Sequence, residues 1–237
     1  MCLTVCISTL LFGACSNDDD DSLEPSVKMR LTSLTGGYVN ISWGSDIVFS
    51  IDNIKYDDDD RIISYQDGEG LKTISYNSDK IVITEDGYKH EYEVVNGRIV
   101  SDGYNRYSYD SNGYIEKISS GSTSDRLIWS DGNLTQIYGV ESFTYEYSNK
   151  ISSIANIYNL FFSTCYIDVD TMLALSGYFG KMPKNLLETQ YYHEDGQKYF
   201  DRKYEYQFNS NGYPTLIRII DDDDDVQEYT LTWSEVK

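Results

Sequence analysis

Eight Asx-Gly pairs punctuate the chain and constrain its fold more than any other feature. They are Asp67-Gly68, Asp86-Gly87, Asn96-Gly97, Asp102-Gly103, Asn112-Gly113, Asp131-Gly132, Asp195-Gly196 and Asn211-Gly212. Asn and Asp tolerate positive φ and Gly takes it freely, so these pairs suit tight hairpin turns. The segments between them alternate. Phe143, Tyr145 and Tyr147 share one face against Thr144 and Glu146. Tyr204, Tyr206 and Phe208 do so against Glu205 and Gln207, and Tyr229, Leu231 and Trp233 against Thr230 and Thr232. Tyr88, His90, Tyr92 and Val94 form a fourth set. Period two with aromatic and β-branched residues predicts strands.

The segments also repeat. Tyr107-Ser108-Tyr109-Asp110-Ser111-Asn112-Gly113-Tyr114-Ile115 is echoed by Tyr204-Glu205-Tyr206-Gln207-Phe208-Asn209-Ser210-Asn211-Gly212-Tyr213, and more weakly around Tyr145, Trp129 and Tyr76. The unit is an aromatic strand, an Asx turn and an aliphatic strand, with roughly six or seven residues per strand. The aliphatic strands are irregular. Ile115 and Ile118, Leu134 and Ile137, and Ile151 and Ile154 are three apart, which a plain strand would place on opposite faces. Either both faces are buried or bulges re-aim one residue.

Residues 155–190 break the repeat. Asp168 or Asp170 caps a short helix carrying Met172, Leu173 and Leu175, and Ser176-Gly177 ends it. An open curved sheet cannot cover its own concave face. The expected fold is therefore mainly β, an antiparallel meander of hairpins forming a curved sheet or half-barrel. The short helical apolar segment near 168–188 packs on the concave face as a plug.

The start of the chain reads as an address. Cys2 to Ala14 is nearly all apolar, the length of a signal-peptide core and too short to span a bilayer as a mature helix. Phe12-Gly13-Ala14-Cys15 resembles a bacterial lipobox, with Cys15 the lipidated residue. It departs from that pattern in having Phe12 where Leu is usual and no basic residue before the apolar core. Ser16-Asn17-Asp18-Asp19-Asp20-Asp21-Ser22 follows, a like-charged run that stays solvated. The expected organisation is a lipoprotein signal peptide over 1–14, an acidic tether over 15–26 and a single β-rich domain over 27–237. Only Cys165 is left besides the anchor in the mature chain, so no intramolecular disulfide forms there, and Cys165 is expected to be buried.

The lipobox-like start, the Asp run, the Tyr-x-Tyr hairpins and the block Ser176-Gly177-Tyr178-Phe179-Gly180-Lys181-Met182-Pro183-Lys184-Asn185-Leu186 resemble a family of Bacteroidetes lipoproteins described as a domain of unknown function with a porin-like fold. The resemblance covers most of residues 40–237. It implies a lipid-tethered half-barrel and supplies no catalytic residue. Cys15 with its acidic run also resembles a Bacteroidetes surface-export signal, and Asp21-Ser22-Leu23 resembles a short O-glycosylation motif, with Ser22 the acceptor. The implied location is the outer membrane, exposed at the cell surface, with the periplasmic face as the alternative.

Chemistry is sparse. A net charge of −20 argues against nucleic acid and anionic lipid as partners. His90 and His193 are the only histidines, and no phosphate loop, dinucleotide fingerprint or nucleophile elbow is present. No catalytic residue, cofactor or metal site is expected, although paired glycosidase carboxylates leave no signature in sequence. The runs Asp57–Asp60 and Asp221–Asp225 fall at expected hairpin turns and read as solvated loops. The aromatic rows read as cross-strand pairs, with Trp43, Trp129 and Trp233 as the alternative platforms for sugar rings. The expected function is a non-enzymatic, surface-anchored module binding an extracellular glycan or protein. The alternatives are a structural envelope component docking on a partner protein and, third, a glycan-active enzyme.

Overall fold

The computed structural model describes residues 27–38, 48–151 and 170–236. Cys15, Ser22, Trp43, Cys165 and the apolar stretch 155–169 lie outside the described residues.

Sixteen strands run as an antiparallel meander among the described residues. They are β1 (Met29–Tyr38), β2 (Val48–Tyr56), β3 (Ile62–Asp67), β4 (Leu71–Tyr76), β5 (Lys80–Glu85), β6 (Tyr88–Val95), β7 (Arg98–Ser101) and β8 (Asn105–Tyr109). Then come β9 (Ile115–Ser120), β10 (Thr123–Ser130), β11 (Asn133–Tyr138), β12 (Ser142–Ile151), the helix α1 (Thr171–Leu175), β13 (Asn185–Glu194), β14 (Gln197–Phe208), β15 (Pro214–Asp221) and β16 (Val226–Glu235). The expected half-barrel is corrected. β1 pairs with β16 from Met29↔Glu235 to Tyr38↔Gln227 and closes the sheet into a full barrel. Gly36 permits this seam, because a Cβ there would stand 2.3 Å from the Tyr229 ring.

Connections from odd to even strands lie at one end of the barrel, termed upper here, and those from even to odd strands at the other, lower end. Asp86-Gly87, Asn96-Gly97, Asp131-Gly132 and Asp195-Gly196 have both residues at positive φ, the tight hairpin turns expected. Four other connections share a different loop. In Asp57–Arg61, Asp110–Tyr114, Asn209–Tyr213 and Asp221–Asp225 the first side chain accepts from two N–H groups within the loop. The fourth residue (Asp60, Gly113, Gly212, Asp224) is left-handed. Both Asp runs are therefore versions of the Asp-Ser-Asn-Gly loop, at turns as expected.

The residues spaced by three are explained by bulges. Tyr109 pairs with Ile115 but Ser108 with Lys117, so Glu116 is extra. Trp129 pairs with Leu134 but Ile128 with Gln136, so Thr135 is extra. The same one-residue shift follows Leu31, Ile62, Ile99 and Pro214. The bulges re-aim the strand beyond them, so that Ile115 and Ile118 are both buried, as are Leu134 and Ile137, and Leu31 and Leu34.

A bulge disturbs the backbone ladder, and an aromatic donor of the following even strand takes its place. Tyr76 Oη donates to the Ile62 carbonyl (2.6 Å), Tyr109 Oη to Ile99 (2.6 Å) and Trp129 Nε1 to Ile115 (2.7 Å). Tyr147 Oη donates to Leu134 (2.8 Å), Trp233 Nε1 to Pro214 (2.6 Å) and Tyr56 Oη to Leu31 (2.9 Å). The residue just before each acceptor often covers the same ring. Arg30 lies over Tyr56, Arg61 over Tyr76 and Arg98 over Tyr109, while Tyr114 stacks on Trp129 and Tyr213 packs against Trp233. Burial pushes the Tyr56 hydroxyl up to about 12, with Arg30 pulling the other way. The result is an aromatic belt around the lower end.

Among the described residues the interior is apolar. One apolar cluster draws on all sixteen strands and on Met172, Leu173, Ala174, Phe179 and Met182. The helix is the short one expected around Met172, but it takes up little of the segment 168–188, since β13 already begins at Asn185. Asp170 caps it by accepting from Leu173 N (2.8 Å), and Ser176 followed by left-handed Gly177 ends it. From there the chain runs to the lower end, where Tyr178 accepts from Ile99 N while Lys181 N and Lys184 N donate to the Gly113 and Gly132 carbonyls. At Gly180 a Cβ would meet the Gly113 carbonyl at 2.6 Å, which explains that glycine in the block.

Strand lengths depart from expectation. β12, β13, β14 and β16 have ten to twelve residues, long enough to cross a bilayer. Their faces have the wrong polarity for it. Glu146, Glu188, Lys203, Gln207, Thr230, Thr232 and Ser234 are exposed, whereas aromatic and aliphatic residues point inward. That reverses the apolar-out, polar-in pattern of membrane barrels. Among the described residues no helix is long and apolar enough to cross a membrane. Two measurements test these points. The acyl-free domain, Leu23 to Lys237, is expected to stay in the aqueous phase on detergent phase separation. In urea denaturation Tyr76→Phe, which loses the bond to Ile62, is expected to cost about 1–2 kcal/mol, while Tyr104→Phe changes nothing measurable.

Candidate binding end

The turns of the upper end, from β3–β4 onward, contain Asp67, Glu69, Glu85, Asp86, Asp102, Glu141, Glu194, Asp195 and Asp221–Asp225, and not one Lys or Arg. Among the described residues, two clefts open there. They lie on strands about half the ring apart in the strand order.

The first cleft, about 330 Å³, is lined by Lys72, Ile83, Glu85, Tyr88, Lys89, His90, Tyr92 and Asp170. Register places Lys72 opposite Glu85. The Lys72 ammonium lies 2.7 Å from Asp67, 3.3 Å from Glu69 and 3.4 Å from Glu85. These three carboxylates could hold a metal ion by spacing alone. Lys72 already supplies the positive charge among them. Burial disfavours its charged form, but the Asp67 hydrogen bond and the other two carboxylates outweigh this and raise its pKa. Burial likewise works against the Asp67 carboxylate, and the Lys72 bond more than offsets it, so its pKa is lowered. Deeper in, burial raises the pKa of Asp170, while Leu173 N and Tyr65 Oη (3.3 Å) bond to its two oxygens and pull the other way. His90 packs on Tyr92 (4.6 Å) and lies 6.4 Å from Tyr104.

The second cleft, about 450 Å³, is lined by Val140, Glu141, Ser142, Phe143, Tyr192, His193, Glu194 and Asp201. His193 Nε2 and Thr144 Oγ1 are 2.9 Å apart, and Tyr192 stacks on Tyr199 at 5.0 Å. Behind it runs a buried polar chain. Tyr204 Oη donates to Gln190 Oε1 (3.1 Å), and Gln190 Nε2 donates to Asp201 Oδ2 (2.5 Å). Burial raises the Asp201 pKa, and Arg202 and Gln190 oppose it. Between the clefts in strand order, Asp102 accepts from Tyr107 Oη (2.6 Å) and from Tyr104 N and Asn105 N.

The two histidines thus line separate clefts and form no common site. Trp129 and Trp233 belong to the lower belt, their indole N–H groups bonded to backbone carbonyls. The most open aromatic side chains are Tyr88 (83% exposed) and Tyr104 (80% exposed), neither of which the sequence marked as a platform. Each follows an Asx-Gly pair. So do Tyr114 and Tyr213, which are packed against tryptophans at the lower end, so the motif alone does not separate the two fates.

Comparison with known structures places the fold. A porin-like protein from Bacteroides uniformis superposes with a TM-score of 0.66 at 15% identity, over 86% of this chain and 98% of that one. A porin-like protein from Bacteroides vulgatus does so with a TM-score of 0.56 at 14% identity, over 88% and 100%. At such identities the likeness is one of fold alone. No protein-family model and no curated protein matches the sequence.

The Lys72 cluster yields a prediction with a defined sign. The raised pKa of Lys72 gives stability that is present below its unfolded value and lost as pH rises through the folded one. The lowered pKa of Asp67 gives stability that is present above its unfolded value and lost as pH falls through the folded one. Lys72→Met leaves the carboxylates facing one another. It is expected to cost about 1–3 kcal/mol at neutral pH, with the deficit closing as pH falls to about 4. Urea denaturation across pH checks this.

Proposed function

We propose that this chain is a lipoprotein anchored in the outer membrane through Cys15 and displayed at the cell surface. In this reading it is a non-enzymatic module whose upper end binds an extracellular glycan or protein. The observation that carries the reading is the direction of the barrel. β1 begins at the lower end, where Val236 N donates to the Lys28 carbonyl and Met29 N to Tyr213 Oη. A tether ending near residue 26 therefore joins the domain at its belted end and leaves the open upper end facing away from the anchor. The acidic tether, with Ser22 as its candidate glycosylation site, serves as the spacer.

The apolar interior supports a scaffold over a pore, because among the described residues the inward faces carry aromatic and aliphatic side chains rather than the polar lining of a channel. A non-enzymatic role is supported by the bonding of the two carboxyls with raised pKa. Asp170 is engaged by a helix cap and Tyr65, and Asp201 by Gln190. The porin-like neighbours from Bacteroides agree with an envelope setting.

Proteinase K treatment of intact cells carrying the full-length chain, with a periplasmic control protein, tests the reading. Digestion without lysis is expected, and Cys15→Ser is expected to release the chain from the membrane fraction. Protection that disappears only on lysis would overturn surface display and favour a structural role at the periplasmic face.

A further inference from the structure

We infer that the upper end docks a basic, partly apolar protein segment, with Tyr88 and Tyr104 as its aromatic contacts. This rests on the proposal that the upper end is the binding face and names the class of its partner. Exposed apolar side chains are not spread evenly over the barrel. Leu71, Tyr88, Tyr104, Tyr138 and Val140 all stand at upper turns or the strand ends beside them, while the lower end leaves Ile63 and Val95 exposed. Scattered single hydrophobes need no explanation, but a rim of them at one end marks an interaction surface.

Charge identifies the occupant. The two Asp runs are the same loop at opposite ends, which makes them a built-in comparison. In the lower run Asp60 is bonded by Lys28 and Arg30, and Arg61 lies 2.7 Å from Asp57 and 3.3 Å from Asp59. In the upper run, among the described residues, none of Asp221–Asp225 forms an ion pair with Lys or Arg. The loop itself is compatible with nearby cations, yet the upper end is left strongly negative. Such a surface repels a second copy of itself, an anionic membrane and nucleic acid. A neutral glycan would stack on the tyrosines and donate its hydroxyls to the carboxylates, but it brings no positive charge to offset them. A small cation would compete with Lys72 for the cluster Asp67, Glu69 and Glu85, the one of suitable spacing among the described residues. A segment carrying Lys or Arg beside apolar residues uses both features, its cations lying on Tyr faces and among carboxylates at the rim.

The test uses the acyl-free domain and a short fluorescent peptide alternating Lys with Leu and Trp, read by anisotropy at about 0.15 M salt, where long-range attraction is screened. Saturable binding is expected. Tyr88→Ser with Tyr104→Ser should weaken it about tenfold or more. Asp222→Asn with Asp223→Asn should weaken it and flatten its salt dependence, whereas Asp58→Asn with Asp59→Asn, at matching loop positions, should leave it unchanged. All three variants keep the loop-capping and left-handed residues, and unchanged melting curves confirm their fold. Equal losses from the two loop variants, or no effect of the tyrosine pair, would overturn the inference as unspecific charge attraction. Failure to bind the peptide, with an immobilised polysaccharide retained through Tyr88 and Tyr104, would overturn the partner class and leave the binding end standing. Self-association in sedimentation that the tyrosine pair abolishes would assign the rim to a second copy instead.

Discussion

The barrel depends on one repeated bond, from a Tyr or Trp side chain to the backbone carbonyl that precedes a bulge. A backbone carbonyl shut away from water without a partner costs about 1–3 kcal/mol. The bulges are needed, because without the extra residue Ile118 and Ile137 would face solvent. Each bulge breaks the ladder with the next strand on its lower side, and the aromatic donor of that strand restores the lost bond. The cost of turning aliphatic residues inward is thereby offset at six places around the ring.

That arrangement polarises the molecule. At the lower end, six of the Tyr and Trp donors are committed to backbone bonds, and Arg or Tyr side chains cover most of their rings. The segment after α1 is laced to the lower turns through Gly113 and Gly132. At the upper end the described turns are held by their own Asx side chains and Gly, with no Lys or Arg in them. Their tyrosines are left open and their carboxylates largely uncompensated. Lys72 is the exception, and it is enclosed by three acids. Stability is thus concentrated at the lower end, and the proposed reading places recognition at the upper one.

Much of this was legible in the residues. Asx-Gly pairs located the turns, and alternation located the strands, because both depend on local φ and on side-chain direction alone. The helix around Met172 and its cap were readable for the same reason. The bulges were visible only as an anomaly, the aliphatic residues three apart. Barrel closure was not legible. β1 carries no Asx-Gly signal, and its partner β16 is nearly the whole chain away, so the pairing Met29↔Glu235 has no local trace. The open aromatics were missed for a related reason. Gly87-Tyr88 and Gly113-Tyr114 have the same local form, and their exposure differs through what stands across the barrel end, solvent in one case and Trp129 in the other.

The sequence by itself determined an antiparallel β meander, its turn positions, an internal apolar segment and an acidic surface, since each follows from short-range periodicity, turn chemistry or composition. Only the tertiary structure decided that the meander closes, that Trp129 and Trp233 serve the belt, and that, among the described residues, the Asp run at 57–60 is paired with cations while that at 221–225 is not. Those outcomes turn on contacts between residues far apart in the chain. Arg30 reaches Asp60, Trp233 reaches Pro214 and Gly36 admits Tyr229 only once strand order and register have brought them together.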